Sequence, residues 1–151
     1  MSTIHVEYST IINATPAEVY AVFRDYRGSH PAILPKPTFE SITVTEGGMG
    51  AGTKFRADMN MFGSKSTINM VVTEPEPGRT IMEEDASLGL KTWFIHDAVE
   101  NGKKTRVTLR TEARQSKGLQ GWIERLVMGP ALRSVYKKEL ANVAAYVAGK
   151  K

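Results

Sequence analysis

Few residue types in this chain can move a proton or hold a metal. No cysteine occurs in the 151 residues, which removes disulfides, thiolate nucleophiles and Cys-based zinc or iron–sulfur sites together. The three histidines, His5, His30 and His96, form neither an H-x-x-H nor an HExxH pair, so no local metal motif is present. His30, just before Pro31, is a candidate to bind or protonate a ligand at the mouth of an internal space. His96 lies late in a strand beside Asp97, whose side chain takes the opposite face. An exposed or structural role is the simpler account of each histidine. Glu83-Glu84-Asp85 is the densest acidic run. On a strand Glu83 and Asp85 share one face and Glu84 takes the other, but the adjacent apolar Ile81 and Met82 leave open which face is buried. An inward carboxyl would have a raised pKa and serve as general acid or base, whereas an outward one is a solvated strand end. The weak catalytic candidates are therefore His30, Glu83 and Glu84; no metal and no cofactor is expected.

Gly47-Gly48-Met49-Gly50-Ala51-Gly52-Thr53 invites comparison with a nucleotide loop. Its spacing is GxGxG rather than GxGxxG, and no GK[ST] follows. It also joins two predicted strands, while phosphate loops use the N-terminus of a following helix. A strand connection needing positive φ explains the glycines better.

The elements that would position these groups follow from composition and periodicity. Apolar residues make up 41% and charged residues 24%, the balance of a globular protein, and the length suits a single domain over 1–151. No apolar run approaches the roughly 18 residues of a membrane span, and the first residues lack the basic and apolar regions of a secretory signal. With no cysteine, a cytoplasmic location is expected. The net charge of +4 comes with acids punctuating the bases, as in Lys137-Lys138-Glu139, which reads as a solvated helix face rather than a nucleic-acid stripe.

Thr3 to Asn13 alternates as a half-buried strand. Thr15-Pro16-Ala17-Glu18 is a capping box with proline at the first helical position, so a helix runs from Pro16 to about Tyr26 and buries Val19, Val22 and Phe23. Arg27 to Pro37 is a short broken helix or loop. Strands follow at Phe39–Thr45, Lys54–Met61, Ser66–Thr73, Arg79–Asp85, Lys91–Ala98 and Thr105–Ala113, joined by turns such as Pro75–Gly78 and Asn101-Gly102. In the second of these, Arg56, Asp58 and Asn60 fall on the outside. From Gly118 to about Ala148 the period becomes helical, with Leu119, Trp122, Ile123, Leu126, Val127, Leu140, Val143 and Val147 on one stripe and a kink expected at Gly129-Pro130. Tight turns make neighbouring strands antiparallel, and only the terminal helix is long enough to cover their apolar face. The fold class is α+β: a curved antiparallel sheet of about six or seven strands around a long C-terminal helix, with two short helices after the first strand.

A long helix across a curved sheet leaves space beneath it. Met59, Met61, Met70 and Met82 lie in the strands that would line that space, and methionine suits both adaptable ligand walls and gap-filling cores. Trp93, sharing a face with Ile95, and Trp122 on the helix stripe are both expected inside, stacked on a flat ligand or packed in the core. The candidate ligand walls are Phe55, Met59, Met61, Ile68, Met70, Trp93, Trp122 and Leu126.

Ile12-Asn13-Ala14-Thr15-Pro16-Ala17-Glu18-Val19 resembles the I-x-A-x-P-x-x-V signature that opens the START and polyketide-cyclase/dehydrase-like (SRPBCC) superfamily. Gly48-x-Gly50-x-Gly52-Thr53 is similar to its second-to-third strand loop, Pro77-Gly78-Arg79 to its next turn, and Lys104-Thr105-Arg106-Val107-Thr108-Leu109 to its final strand. The resemblance covers nearly the whole chain and implies a helix-grip fold with a deep cavity for lipids, polyketides, quinones or similar molecules. Three functions stand open: binding of a hydrophobic small molecule, a cyclase or dehydratase using cavity acid–base residues, and a protein-interaction domain. The expected partner is a hydrophobic ligand, with no nucleic acid and no membrane span.

Overall fold

Polar and apolar residues alternate through Thr3–Ile12, and this segment forms β1. The computed structural model describes the backbone of residues 3–61, 63–114 and 118–149, and the side chains of these apart from 61, 64 and 118–128. Thr15 ends the strand and starts α1, Pro16–Arg24, through the predicted capping box: the Glu18 amide donates to Thr15 Oγ1 and the Thr15 amide to Glu18 Oε1, each at 3.3 Å. The segment read as a broken helix or loop contains a short α2, Ser29–Ile33.

The remaining strands are β2 (Phe39–Glu46), β3 (Lys54–Met61), β4 (Ser64–Glu76), β5 (Thr80–Asp85), β6 (Leu90–Val99) and β7 (Lys104–Arg114), followed by α3 (Gly118–Gly149). They form one seven-stranded antiparallel sheet in the order β1-β7-β6-β5-β4-β3-β2. β4 runs further than expected, through Pro75. The pairing with β5 shifts register between Thr73 and Glu76, and this irregularity accommodates a residue that cannot donate to a ladder. The helix α3 continues through Pro130 as one element and lies against β1, α1 and α2.

One face of the sheet is buried. Val6, Ile12, Phe55, Ala57, Met70, Val72, Ile81, Phe94, Val107 and Leu109 meet Val19, Val22 and Phe23 of α1, as expected, and Tyr136, Leu140, Val143 and Val147 of α3. The earlier part of the predicted α3 stripe, Leu119 to Val127, lies outside the described side chains. Arg56 is exposed and Asp58 and Asn60 half-buried on the other face, as the alternation required.

The glycine-rich segment is the β2–β3 connection, and it holds the end of α1. The Tyr26 amide donates to the Gly48 carbonyl (2.8 Å), and the Gly50 amide to the Arg24 carbonyl (2.9 Å). Glu74 of β4 joins the same cluster, accepting from Tyr20 Oη (2.5 Å), Arg24 Nε (3.2 Å) and the Ala51 amide (2.9 Å). Burial pushes the Glu74 carboxyl up, but these donors outweigh it and hold its pKa below the usual value. Gly50 has φ +61°, and a Cβ there would stand 2.5 Å from Glu74 Oε2 and 2.6 Å from Arg24 Nε. Gly50→Ala should therefore cost about 2–3 kcal/mol, combining left-handed strain with displacement of this cluster. Gly102→Ala, where φ is +81° but a Cβ meets nothing, should cost only about 1 kcal/mol. Urea unfolding of both variants measures the difference.

Candidate functional site

The pleat decides what faces the interior. On β5 Ile81, Glu83 and Asp85 are buried, while Met82 and Glu84 between them are half-buried on the opposite face. Register carries the pattern across the sheet: Val72 pairs with Glu83, Glu83 with Thr92, and Thr92 with Thr111. A band of polar side chains thus crosses the middle of an otherwise apolar face.

The turn after α1 brings more polar groups under that face. Asp25 Oδ1 accepts from the Arg27 (3.2 Å) and Gly28 (3.0 Å) amides, while the Asp25 carbonyl accepts from the His30 amide (2.9 Å). Ser29 Oγ donates back to the Val22 carbonyl (2.8 Å). This tight return buries Tyr26 and His30 completely. Tyr26 stacks between His30 and Phe55, with ring centroids 4.5 and 5.1 Å away. Its hydroxyl donates to Glu83 Oε2 at 2.7 Å.

His30 Nδ1 lies 2.6 Å from the Phe23 carbonyl. A carbonyl only accepts, so Nδ1 carries the proton and Nε2, 3.9 Å from Glu83 Oε2, is bare. Burial drives the His30 pKa down to about 4, against the pull of the Phe23 carbonyl and Asp25, so the ring is neutral at physiological pH. Burial pushes Glu83 the other way, up to about 7, with the Tyr26 hydrogen bond opposing.

From α3 come Tyr136 and Glu139. Tyr136 Oη bonds Thr111 Oγ1, which lies 2.8 Å from Thr92 Oγ1, so three hydroxyls form a chain across β6, β7 and α3. Glu139 is 2% exposed, and its Oε2 has no hydrogen-bond partner among the described residues. Burial, reinforced by the charge of Glu83, holds the Glu139 carboxyl well above the usual range. Burial and neighbouring carboxyls also raise Tyr26 and Tyr136. No Lys or Arg is buried among the described residues.

Of the catalytic candidates, His30 and Glu83 come together in the interior. His30 is sealed inside rather than at a mouth. Glu84 is corrected to the outer face, where its carboxylate lies 3.9 Å from Lys91 Nζ. Of the ligand-wall candidates, Phe55 and Met70 are buried on the inner face, and Met59 and Ile68 are half-buried there. Trp93 is corrected to the outer face: its neighbours Thr92 and Phe94 point in, and the Arg110 guanidinium covers its ring at 4.5 Å. Its partner Ile95 and the paired Met82 go with it. The side chains of Met61, Trp122 and Leu126 lie outside the described residues.

His96 is also buried, at 3% exposure, with Nδ1 on the Arg79 carbonyl (3.0 Å) and burial holding its pKa near 4. Asp85 caps the 3₁₀ turn Ala86–Leu88 and accepts from the Asn69 amide (2.9 Å), a structural role. Among the described residues no cluster of three or more His, Asp or Glu side chains could hold a metal, and no helix is long and apolar enough to cross a membrane. Tyr26, Thr92, Thr111, Tyr136 and Glu139 were not anticipated as site residues. The charges around Glu139 suggest a solvated helix face, yet it stands three residues after Tyr136 and four before Val143, on the apolar stripe itself. That spacing was the available signal.

A long terminal helix on a seven-stranded antiparallel sheet, with a polar band inside, defines a START-like helix-grip protein. The chain belongs to the polyketide cyclase/dehydrase and lipid-transport family, whose model matches residues 3–148. Among solved structures it is similar to the KanY protein (26% identity, TM-score 0.83, covering 98% of this chain and 99% of that one). The Zhui aromatase/cyclase from Streptomyces sp. R1128 shares the fold at 16% identity and TM-score 0.75, covering 97% and 94%. A START superfamily protein from Mycobacterium smegmatis does so at 12% identity and TM-score 0.72, covering 97% and 99%. No curated protein sequence matches the chain.

The raised Glu83 pKa sets a pH signature. Between its ordinary value of 4.5 and about 7 the folded state holds a proton that the unfolded state releases, so this group makes stability fall as pH rises through that window. The buried histidines act oppositely between about 4 and 6.5, where the unfolded chain takes up protons that the folded one refuses. Comparing Glu83→Gln with wild type cancels the histidine contribution. The variant should match wild type near pH 4.5 within the cost of altering the Tyr26 bond. It should then gain on it up to pH 7, by at most about 3 kcal/mol. Chemical denaturation across pH 4.5–8 reads this slope.

Proposed function

We propose that residues 1–151 act as one ligand-binding domain, taking an apolar small molecule with polar substituents between the inner face of the sheet and α3. The observation that carries this reading is the polar band of Tyr26, Glu83, Thr92, Thr111, Tyr136 and Glu139 within an apolar surround, including a carboxyl oxygen without a partner. A core selected only for stability would fill these positions with apolar residues, because a buried unpaired carboxyl costs several kcal/mol. Few convergent polar groups on apolar walls are the usual make-up of a small-molecule site. Family membership supports the same reading, and Phe55, Met59, Ile68 and Met70 are its proposed walls.

Acid–base catalysis of a cyclisation or dehydration is a second reading, favoured by one observation. Glu83, with its pKa near 7 and Tyr26 as donor, can both give and take a proton near neutrality.

The binding reading is tested with N-phenyl-1-naphthylamine, a neutral probe that brightens in apolar surroundings. Saturable binding of one probe per chain is expected, with stabilisation of about 2.7 kcal/mol at a hundredfold excess over Kd. Absence of saturable fluorescence and of any thermal shift defeats the reading.

A further inference from the structure

Asp85 is taken up by the Asn69 and Ser87 amides, which leaves Glu83 and Glu139 as the interior carboxyls still to be balanced among the described residues. Glu83 and Glu139 are both buried, the field of one bears on the other, and no Lys or Arg is buried among the described residues. The other titratable groups facing them are Tyr26 and His30, from the turn after α1, and Tyr136 on α3. Glu74 acts on Tyr26 from further off. None of these supplies a positive charge. His30 donates its one N–H, at Nδ1, to the Phe23 carbonyl and is walled by the rings of Tyr26, Phe23 and Phe94. Tyr26 already donates to Glu83, and the Tyr136 hydroxyl shares its hydrogen bond with Thr111 Oγ1. Glu139 Oε2 remains buried and without a partner among the described residues.

A site of this charge ranks ligands by charge before shape. A ligand carboxylate or sulfonate would add a further acid beside the buried Glu83 and Glu139 carboxyls. A neutral ligand leaves the pair to share protons. A protonated amine brings the missing countercharge and lets a carboxyl ionise.

Resting on the binding function proposed above, we propose that the favoured ligand is a protonated amine on an apolar or aromatic body, its ammonium group paired with the Glu83 and Glu139 carboxyls. Binding then releases a proton: the ammonium keeps its own, a carboxyl gives its proton to the buffer, and an ammonium–carboxylate pair remains.

The experiment uses the full chain at pH 6 with three ligands of one shape: 2-naphthylmethylamine, 2-naphthylmethanol and 2-naphthoate. Each competes against N-phenyl-1-naphthylamine, and each is titrated calorimetrically in two buffers of different ionisation enthalpy. The amine is expected to bind at least about tenfold tighter than the alcohol, and the carboxylate about tenfold weaker than the alcohol. The amine should release up to about one proton, the alcohol none. In Glu83→Gln and Glu139→Gln the ratio of amine to alcohol affinity should shrink. If one variant does not fold, the other and the wild-type ranking still decide. A carboxylate binding as tightly as the amine, or an amine binding without proton release and unchanged in both variants, overturns the proposal. If the alcohol binds and the amine does not, this proposal alone fails; if neither the probe nor any ligand binds, the binding function itself fails.

Discussion

The pleat of β5 is the constraint on which the interior depends. Side chains on a strand alternate faces without exception in the absence of a bulge, so burying Ile81 in the core takes Glu83 and Asp85 inside as well. Antiparallel register then leaves little choice elsewhere. Thr92 and Thr111 follow Glu83 inward through direct pairing, and Trp93, Met82 and Glu84 go out together. The polar band and the outward tryptophan are two consequences of one alternation.

Having a carboxyl inside obliges the rest of the chain to accommodate it. An ionised carboxylate in a dry interior costs several kcal/mol, so the group either keeps its proton or collects donors. Glu83 does both in part, with the Tyr26 hydroxyl bound and its pKa raised to about 7. Asp85, two residues on, shows the contrast. It lies near the strand end, collects the Asn69 and Ser87 amides, and its pKa falls below the usual value despite burial. Tyr26 reaches Glu83 because backbone bonds from the glycine connection hold the end of α1. A loop that resembles a phosphate cradle in sequence is here the clamp that aims a phenol.

Much of this architecture is legible in the sequence. Thr15 and Glu18 announce α1, the turn residues announce the antiparallel sheet, and the switch to helical period after Gly118 announces α3. The interior was only half legible. Ile81 and Met82 are both apolar and adjacent, so hydropathy alone could not say which of Glu83 and Glu84 turns inward; that needed the pairing to β4 and β6. Trp93 misled because size and hydrophobicity argue for burial, while its face is set by Thr92 and Phe94 on either side. The cation over its ring lets an aromatic stay outside. Glu139 misled in the opposite sense, a charged residue directly after Lys137 and Lys138 that the helical period nevertheless turns inward.

The strand order carries a consequence for how the interior comes into being. β1 and β2 are close in sequence but occupy opposite edges of the sheet, so residues 13–38 cross its whole width, roughly 29 Å at about 4.8 Å per strand. β1 finds its partner only in β7, joining residues 3–12 to residues 105–114. During synthesis the first strand must therefore wait, unpaired, until more than two-thirds of the chain has emerged, and such long-range pairing is slow to nucleate. The polar band is completed late for the same reason: Tyr136 and Glu139 lie on α3, which emerges only after β7.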